Sequence, residues 1–178
     1  MDAFLGLLAN YRLEAVADVR RFPGSKSQPQ YVQAALRDSL AGRRIAHRWL
    51  PALGGRRRPH PDSPNTAWHN ASFRGYADHI ESPEFSGGLA ELLELSRQVR
   101  TTLMCAEAVW WRCHRALIAD LLCVRGIEVG LDARHCVLHP YTSPARIVEG
   151  RLTYVRTACA VPLPGAARRG KGLRLRGP

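Results

Sequence analysis

Residues 101–131, TTLMCAEAVWWRCHRALIADLLCVRGIEVGL, decide the fold. Thr101–Cys105 is a short apolar run, read as a strand. Residues 110–125 place Leu117, Ile118, Leu121 and Leu122 at helical spacing, which predicts the strongest helix of the chain. Gly126 follows as its C-cap, and Ile127–Leu131 is a second short apolar run. Strand, helix and strand in this order predict two parallel strands joined by a crossover helix.

The same alternation extends towards the N-terminus. Residues 2–11 set Phe4, Leu5, Leu7, Leu8 and Tyr11 at helical spacing. Ala15–Val19 reads as a buried strand, 30–41 as a helix closed by Gly42, and Ile45–Leu50 as a strand stopped by Pro51. Residues 51–71 form a long loop, and 72–81 and 84–98 are two further helices. The predicted fold is α/β: a three-layer, mostly parallel, Rossmann-like sheet of about four to five strands flanked by helices. It forms a single α/β domain over residues 1–156. Residues 157–178 are a basic tail, rich in Gly and Pro and without acids, and are expected to be disordered.

Composition sets limits on function. The chain has 178 residues, a formal charge of +11 and a sequence pI near 10.3. Of its 26 basic residues, 24 are arginine. The net charge points to an anionic partner, a nucleic acid, a nucleotide or a phosphorylated metabolite, whereas codon bias accounts for the ratio of Arg to Lys. With 46% hydrophobic residues the chain can bury a core, and it has no apolar run long enough to span a membrane. Five cysteines (Cys105, Cys113, Cys123, Cys136 and Cys159) in or beside apolar segments suit reduced thiols in the cytoplasm.

In parallel sheets ligands sit beyond the carboxyl ends of the strands. After Thr101–Cys105 the chain runs through Glu107, Trp111, Arg112, Cys113, His114 and Arg115 into the strongest helix. Cys105 at a strand end facing a helix start is either a dipole-stabilised thiolate or a small buried hydrophobe. Glu107 is a candidate acid or base, or an ion-pair partner of Arg112 or Arg115. His114 shares a stripe with Ile118 and Leu122, and its place near Cys105 also allows a base role. Trp111 can stack on a substrate or cover the helix start. Arg112 and Arg115 oppose the helix dipole, so an anion or another negative group should compensate them.

At the other strand ends, Asp18 is a buried charge that needs a partner, with Arg20 and Arg21 adjacent. Gly54 and Gly55 allow close backbone approach, and Arg56–Arg58 are a basic run. Candidate catalytic residues are therefore Cys105, Glu107, His114 and Asp18. Candidate substrate contacts are Arg20, Arg21, Gly54, Gly55, Arg56, Trp111, Arg112 and Arg115. Metal-ligand types occur at Cys113, His114, Cys123, His135, Cys136 and His139, but without a CxxC pair, so no metal or cofactor is expected.

The Cys-to-Arg layout is similar to that of thiol phosphatases and rhodanese-type sulfurtransferases. It departs from the phosphatase spacing, with six residues rather than five between Cys105 and Arg112, and its loop lacks glycines. Four blocks, DVRRFPGS (18–25), LPALGGRRRP (50–59), FRGYADHI (73–80) and LMCAEAVWWRCHRALIADLL (103–122), resemble in sequence and order the prokaryotic domain-of-unknown-function family number 488. The resemblance covers about residues 4–155. It implies that Asp18–Arg20, Gly54–Gly55 and the Cys-x-Glu…Cys-His-Arg block at Cys105–Arg115 are the family's signature, without naming a reaction. Relatives usually carry a further strand with a Gly-His-Ser turn before the first helix, whereas Met1 here falls in that helix. The expected function is an enzyme with a Cys/Glu/His/Arg cleft acting on an anionic substrate, the alternative being a non-catalytic nucleic-acid-binding module.

Overall fold

A computed structural model describes residues 1–130 and 138–156. Three strands, β1 (Ala15–Asp18), β2 (Ala46–Trp49) and β3 (Thr101–Met104), form a parallel sheet in the order β2-β1-β3. Central β1 sets Ala15 opposite Ala46 and Thr101, and Asp18 opposite Trp49 and Met104. All four of its residues are buried, which explains their unbroken apolar run up to Asp18.

Among the described residues five helices surround the sheet: α1 (Asp2–Asn10), α2 (Gln33–Ala41), α3 (Ala71–Ile80), α4 (Pro83–Gln98) and α5 (Arg115–Val124). Successive side chains of a strand point to opposite faces. Val16 accordingly packs with Leu5 and Leu8 of α1 and Leu36 and Leu40 of α2. Ala17 packs on the other side, with Tyr76 of α3, Leu89 of α4, and Leu117 and Ile118 of α5. The helix starts follow their cap residues: Asn70 accepts from the Ser72 and Phe73 amides, and Ser82 accepts from the Phe85 amide ahead of Pro83.

The main sheet has three strands among the described residues rather than four to five, and three further expectations need correction. Ile127–Val129 form no strand, and Gly130 makes only an isolated antiparallel bridge to Leu138, while Leu131 lies outside the described residues. Ile127 and Val129 are used instead to cover the core beside α5. A small antiparallel hairpin, β4 (Arg146–Val148) and β5 (Arg151–Thr153), forms apart from the main sheet. The helix expected over 30–41 divides at extended Val32, after a 3₁₀ turn at Pro29–Tyr31. The helix expected over 110–125 also divides, into a 3₁₀ turn at Trp110–Arg112 and α5, with extended Cys113 between them (φ −129°, ψ 148°). The basic tail 157–178 lies outside the described residues. No helix among the described residues is long and apolar enough to cross a membrane.

The long loop 51–70 is held from below. Asp78 on α3 accepts from the His60 amide (2.9 Å), the Ser63 hydroxyl (2.6 Å) and the Asn65 side-chain amide (2.7 Å). Gly75, one turn earlier, lets the loop lie on the helix, since a Cβ there would come within 2.6 Å of the Arg57–Pro59 backbone.

Candidate functional site

The break at Cys113 builds the site. Extended Cys113 returns the chain to the end of β3, so its Sγ lies 2.8 Å from the Sγ of Cys105, eight positions earlier. The Glu107 amide donates to Cys105 Sγ (3.2 Å). The Arg115 amide and Nε donate to Cys113 Sγ (3.5 and 3.4 Å). The remaining guanidinium nitrogens of Arg115 donate to the Leu103 and Glu107 carbonyls. Arg115 therefore ties the strand edge, the 105–108 loop and the start of α5 together. Two carbonyls and a thiol, rather than a carboxylate, compensate a cation in the first turn.

His114 stands behind Cys113. Its Nε2 lies 3.2 Å from the Val19 carbonyl, which can only accept, so Nε2 carries the proton. In the neutral ring Nδ1 is then an acceptor, 3.6 Å from Cys113 Sγ. Gly55 makes room for this ring: a Cβ there would sit 2.8 Å from His114 Nδ1. Gly54 is needed for a similar reason, because its Cβ would meet Arg21 Cα and Cβ at 2.8 and 2.7 Å. Of the two roles open to a Gly-Gly pair, close approach and positive φ, this one serves close approach.

The two thiols share their charge unequally. The hydrogen bond from Cys105 lowers Cys113 most; burial opposes it, and His114 and the Arg115 amide add to the lowering. The net result holds Cys113 well below the ordinary thiol range. The same hydrogen bond, burial and the Cys113 charge push Cys105 up, against Arg115 and the Glu107 amide. The pair therefore carries one proton and one negative charge at neutral pH. Cys105 faces the outside and Cys113, 4% exposed, lies behind it.

A groove of about 980 Å³ runs along β3, between α1 and the 105–108 loop. Arg20, Cys105, Glu107 and Arg115 all line it, as do Arg100 and Glu128. The Glu107 carboxylate pairs with neither Arg112 nor Arg115 among the described residues. Asp18 is behind the groove wall, fully buried, and is clamped by Arg20 through Nε (2.8 Å) and a second guanidinium nitrogen (2.6 Å), with His47 at 3.5 Å. Burial alone would raise the Asp18 carboxyl, but Arg20 and His47 outweigh it and hold it below its usual value. The third guanidinium nitrogen of Arg20 donates to the Tyr31 carbonyl.

Other candidates stand apart from this cluster. Arg56 is exposed, and its carbonyl accepts from Arg21 at the base of the Gly54–Gly55 turn. Arg57, in the same run, pairs with Glu84 (3.0 Å). Arg112 and Trp111 are exposed on the 3₁₀ turn, Trp111 with its ring edge-on to Trp110.

Cys113 is the residue that sequence reasoning misses as a partner of Cys105. A continuous helix from residue 110 would have put its sulfur on the helix surface. The signal available was the adjacent Cys-His pair itself. Also missed is a buried network around Asp120 of α5, which accepts from His139 (2.6 Å), the Thr142 amide (2.7 Å) and hydroxyl, and Tyr154 (2.8 Å). It anchors residues 139–154 to the core rather than opening onto the groove.

Cys105, Cys113 and His114 bring three metal-ligand atoms within 4.8 Å of one another. Two thiolates on one tetrahedral zinc, with Zn–S bonds of ~2.3 Å, would stand about 3.7 Å apart. The sulfurs here are closer, at 2.8 Å, nearer to the ~2.05 Å of a disulfide bond. His135 and Cys136 lie outside the described residues.

A family model described as "Domain of unknown function DUF488" matches residues 1–122, which takes in the sheet, the two thiols and most of α5. No curated protein and no solved structure matches the chain.

Proposed function

We propose, from the premise that this chain belongs to the DUF488 family, that it is a thiol-dependent enzyme reacting where Cys105 meets the groove along β3. The observation that carries this reading is the 2.8 Å contact between Cys105 and Cys113, with Arg115 and the start of α5 stabilising their shared negative charge. A structural pair of cysteines would not need a guanidinium, a helix start and an oriented imidazole around it. Glu107, exposed and with its amide on Cys105 Sγ, is in this reading the residue that moves a proton for the reacting group.

The substrate is proposed to be anionic, of the nucleotide or phosphorylated small-molecule class. Arg100 and Arg115 line the groove with Glu107 and Glu128 and support that choice, whereas the charge of Arg20, also in the wall, is matched by Asp18. The nucleic-acid-binding reading draws less support, because Arg57 in the basic run is committed to Glu84. The reading treats residues 1–156 as one three-layer, Rossmann-like domain, in keeping with the two apolar clusters on opposite sides of β1.

The test compares neutral iodoacetamide with anionic iodoacetate, following each cysteine by peptide mass. Cys123 is the internal control, since burial and Asp120 raise its thiol. Cys105 is expected to react at least tenfold faster than Cys123 at pH 7, and to favour iodoacetate more than Cys123 does. Arg100→Gln should reduce that preference. Equal rates at both cysteines would overturn the enzyme reading, and an unchanged reagent preference the anionic substrate.

A further inference from the structure

The proposed thiol site does not by itself say why two sulfurs are held together, one outside and one behind. We propose that Cys105 and Cys113 form a dithiol couple that reduces a disulfide bond in the groove, Cys105 attacking and Cys113 resolving. This inference rests on the reading of Cys105 as a reactive thiol and adds the substrate class, a disulfide carried on an anionic compound.

Three geometric features support it. Cys105 lines the groove, so it meets the substrate first. Cys113 is buried and cannot meet a substrate directly, yet its sulfur is 2.8 Å from that of Cys105. Closing this gap to a bond of ~2.05 Å needs a shift of about 0.8 Å. The intervening 106–112 segment is mostly exposed loop and 3₁₀ turn, and not a rigid element. His114 Nδ1 lies 3.6 Å from Cys113 Sγ, next to the sulfur whose proton must move.

The chemistry balances in two steps. Cys105 first passes the proton of the pair across the 2.8 Å gap to Cys113 Sγ, and as thiolate attacks one sulfur of the substrate disulfide. A Cys105–substrate disulfide forms, the substrate S–S bond breaks, and the first thiolate leaves and takes a proton from water. Cys113 then passes its proton to His114 Nδ1 and attacks Cys105 Sγ. The Cys105–Cys113 bond forms, and the second substrate thiolate leaves and takes up that proton. Two electrons pass from the dithiol to the substrate, and a low-molecular-weight thiol in excess restores the couple.

Glutathione disulfide, which is anionic, serves as the probe. The reduced wild-type chain is expected to lose two titratable thiols, release two equivalents of glutathione and gain no mass. Peptide mapping should find Cys105 joined to Cys113. Cys113→Ser should stop at one glutathione adduct, on Cys105, and Cys105→Ser should form none. A stable adduct on the wild-type chain, or a Cys105→Ser variant that reacts like wild type, would overturn the couple. The wild-type arm decides the matter even if a variant fails to fold. Fast alkylation of Cys105 alongside a failed exchange would remove this inference while leaving the proposed function standing; slow alkylation would remove both.

Discussion

Gly55 shows most clearly how single residues set this site. Its missing Cβ is the space His114 occupies between the loop after β2 and Cys113, and the ring also packs on Tyr76 at 5.0 Å between centroids. Gly55→Ala would force a contact of 2.8 Å on Nδ1, the atom facing Cys113. The ring is held by the Val19 carbonyl and by Tyr76 and has little room to yield. Overpacking of this kind costs about 1–3 kcal/mol. Urea unfolding should show a loss in that range, and the exchange with glutathione disulfide should slow at the resolving step. Gly6→Ala is the control: a Cβ there meets nothing within 4 Å in the interior of α1, so the change should be neutral or stabilise by about 0.5–1 kcal/mol.

Among elements, the sheet and the long loop are both fastened by buried or half-buried carboxylates. Asp18 fixes the end of β1 through Arg20, and Asp78 fixes the 51–70 loop to α3. Burial raises the Asp78 carboxyl, but Ser63, Asn65 and the His60 amide outweigh it and leave it below its usual value, as at Asp18. A carboxyl depressed in the folded state stabilises it fully above the unfolded value, here 3.8, and loses that stabilisation as pH falls through the folded value. The urea midpoint should therefore hold from pH 7 to about 5 and drop below about 4. Asp78→Asn should be less stable at pH 7 and show a shallower acid drop. An acid limb identical to wild type would refute the role of Asp78.

The elements also show what the sequence makes legible. β1, β2 and β3 and all five helices follow from apolar spacing and from breakers such as Gly42 and Pro51. The division of the last long helix does not, because nothing between Trp110 and Arg115 is a Gly or Pro and the chain turns at Cys113 through an extended conformation any residue can adopt. The 146–153 hairpin did leave a signal. Glu149-Gly150 between two apolar segments is a tight-turn pair, and both residues take positive φ (49° and 74°). Asp120 was hidden for another reason: a helix pattern records apolar positions and gives no sign that an acid among them will be buried with four donors.

At the scale of the whole molecule, β3 is an edge strand among the described residues, and its carboxyl end, facing helix and adjoining groove meet at one point. Parallel topology puts Asp18, Met104 and the residues after them at one end of the sheet. The +11 charge therefore matters through position more than total: Arg20 and Arg115 are buried or half-buried parts of the groove wall, whereas Arg56 and Arg112 are exposed away from it. The central claim is that Cys105 reacts as one member of a pair sharing a single proton. The most direct measurement is the pH dependence of iodoacetamide reaction at Cys105, in the wild type and in Cys113→Ser. Because the pair already carries a charge at neutral pH, and Cys105 becomes thiolate by passing its proton to Cys113 2.8 Å away rather than to solvent, the wild-type rate should be nearly flat between about pH 6 and 8. In Cys113→Ser, Cys105 should behave as an ordinary thiol and its rate should rise about tenfold per pH unit over that range. Identical, steadily rising profiles for both proteins would contradict the account.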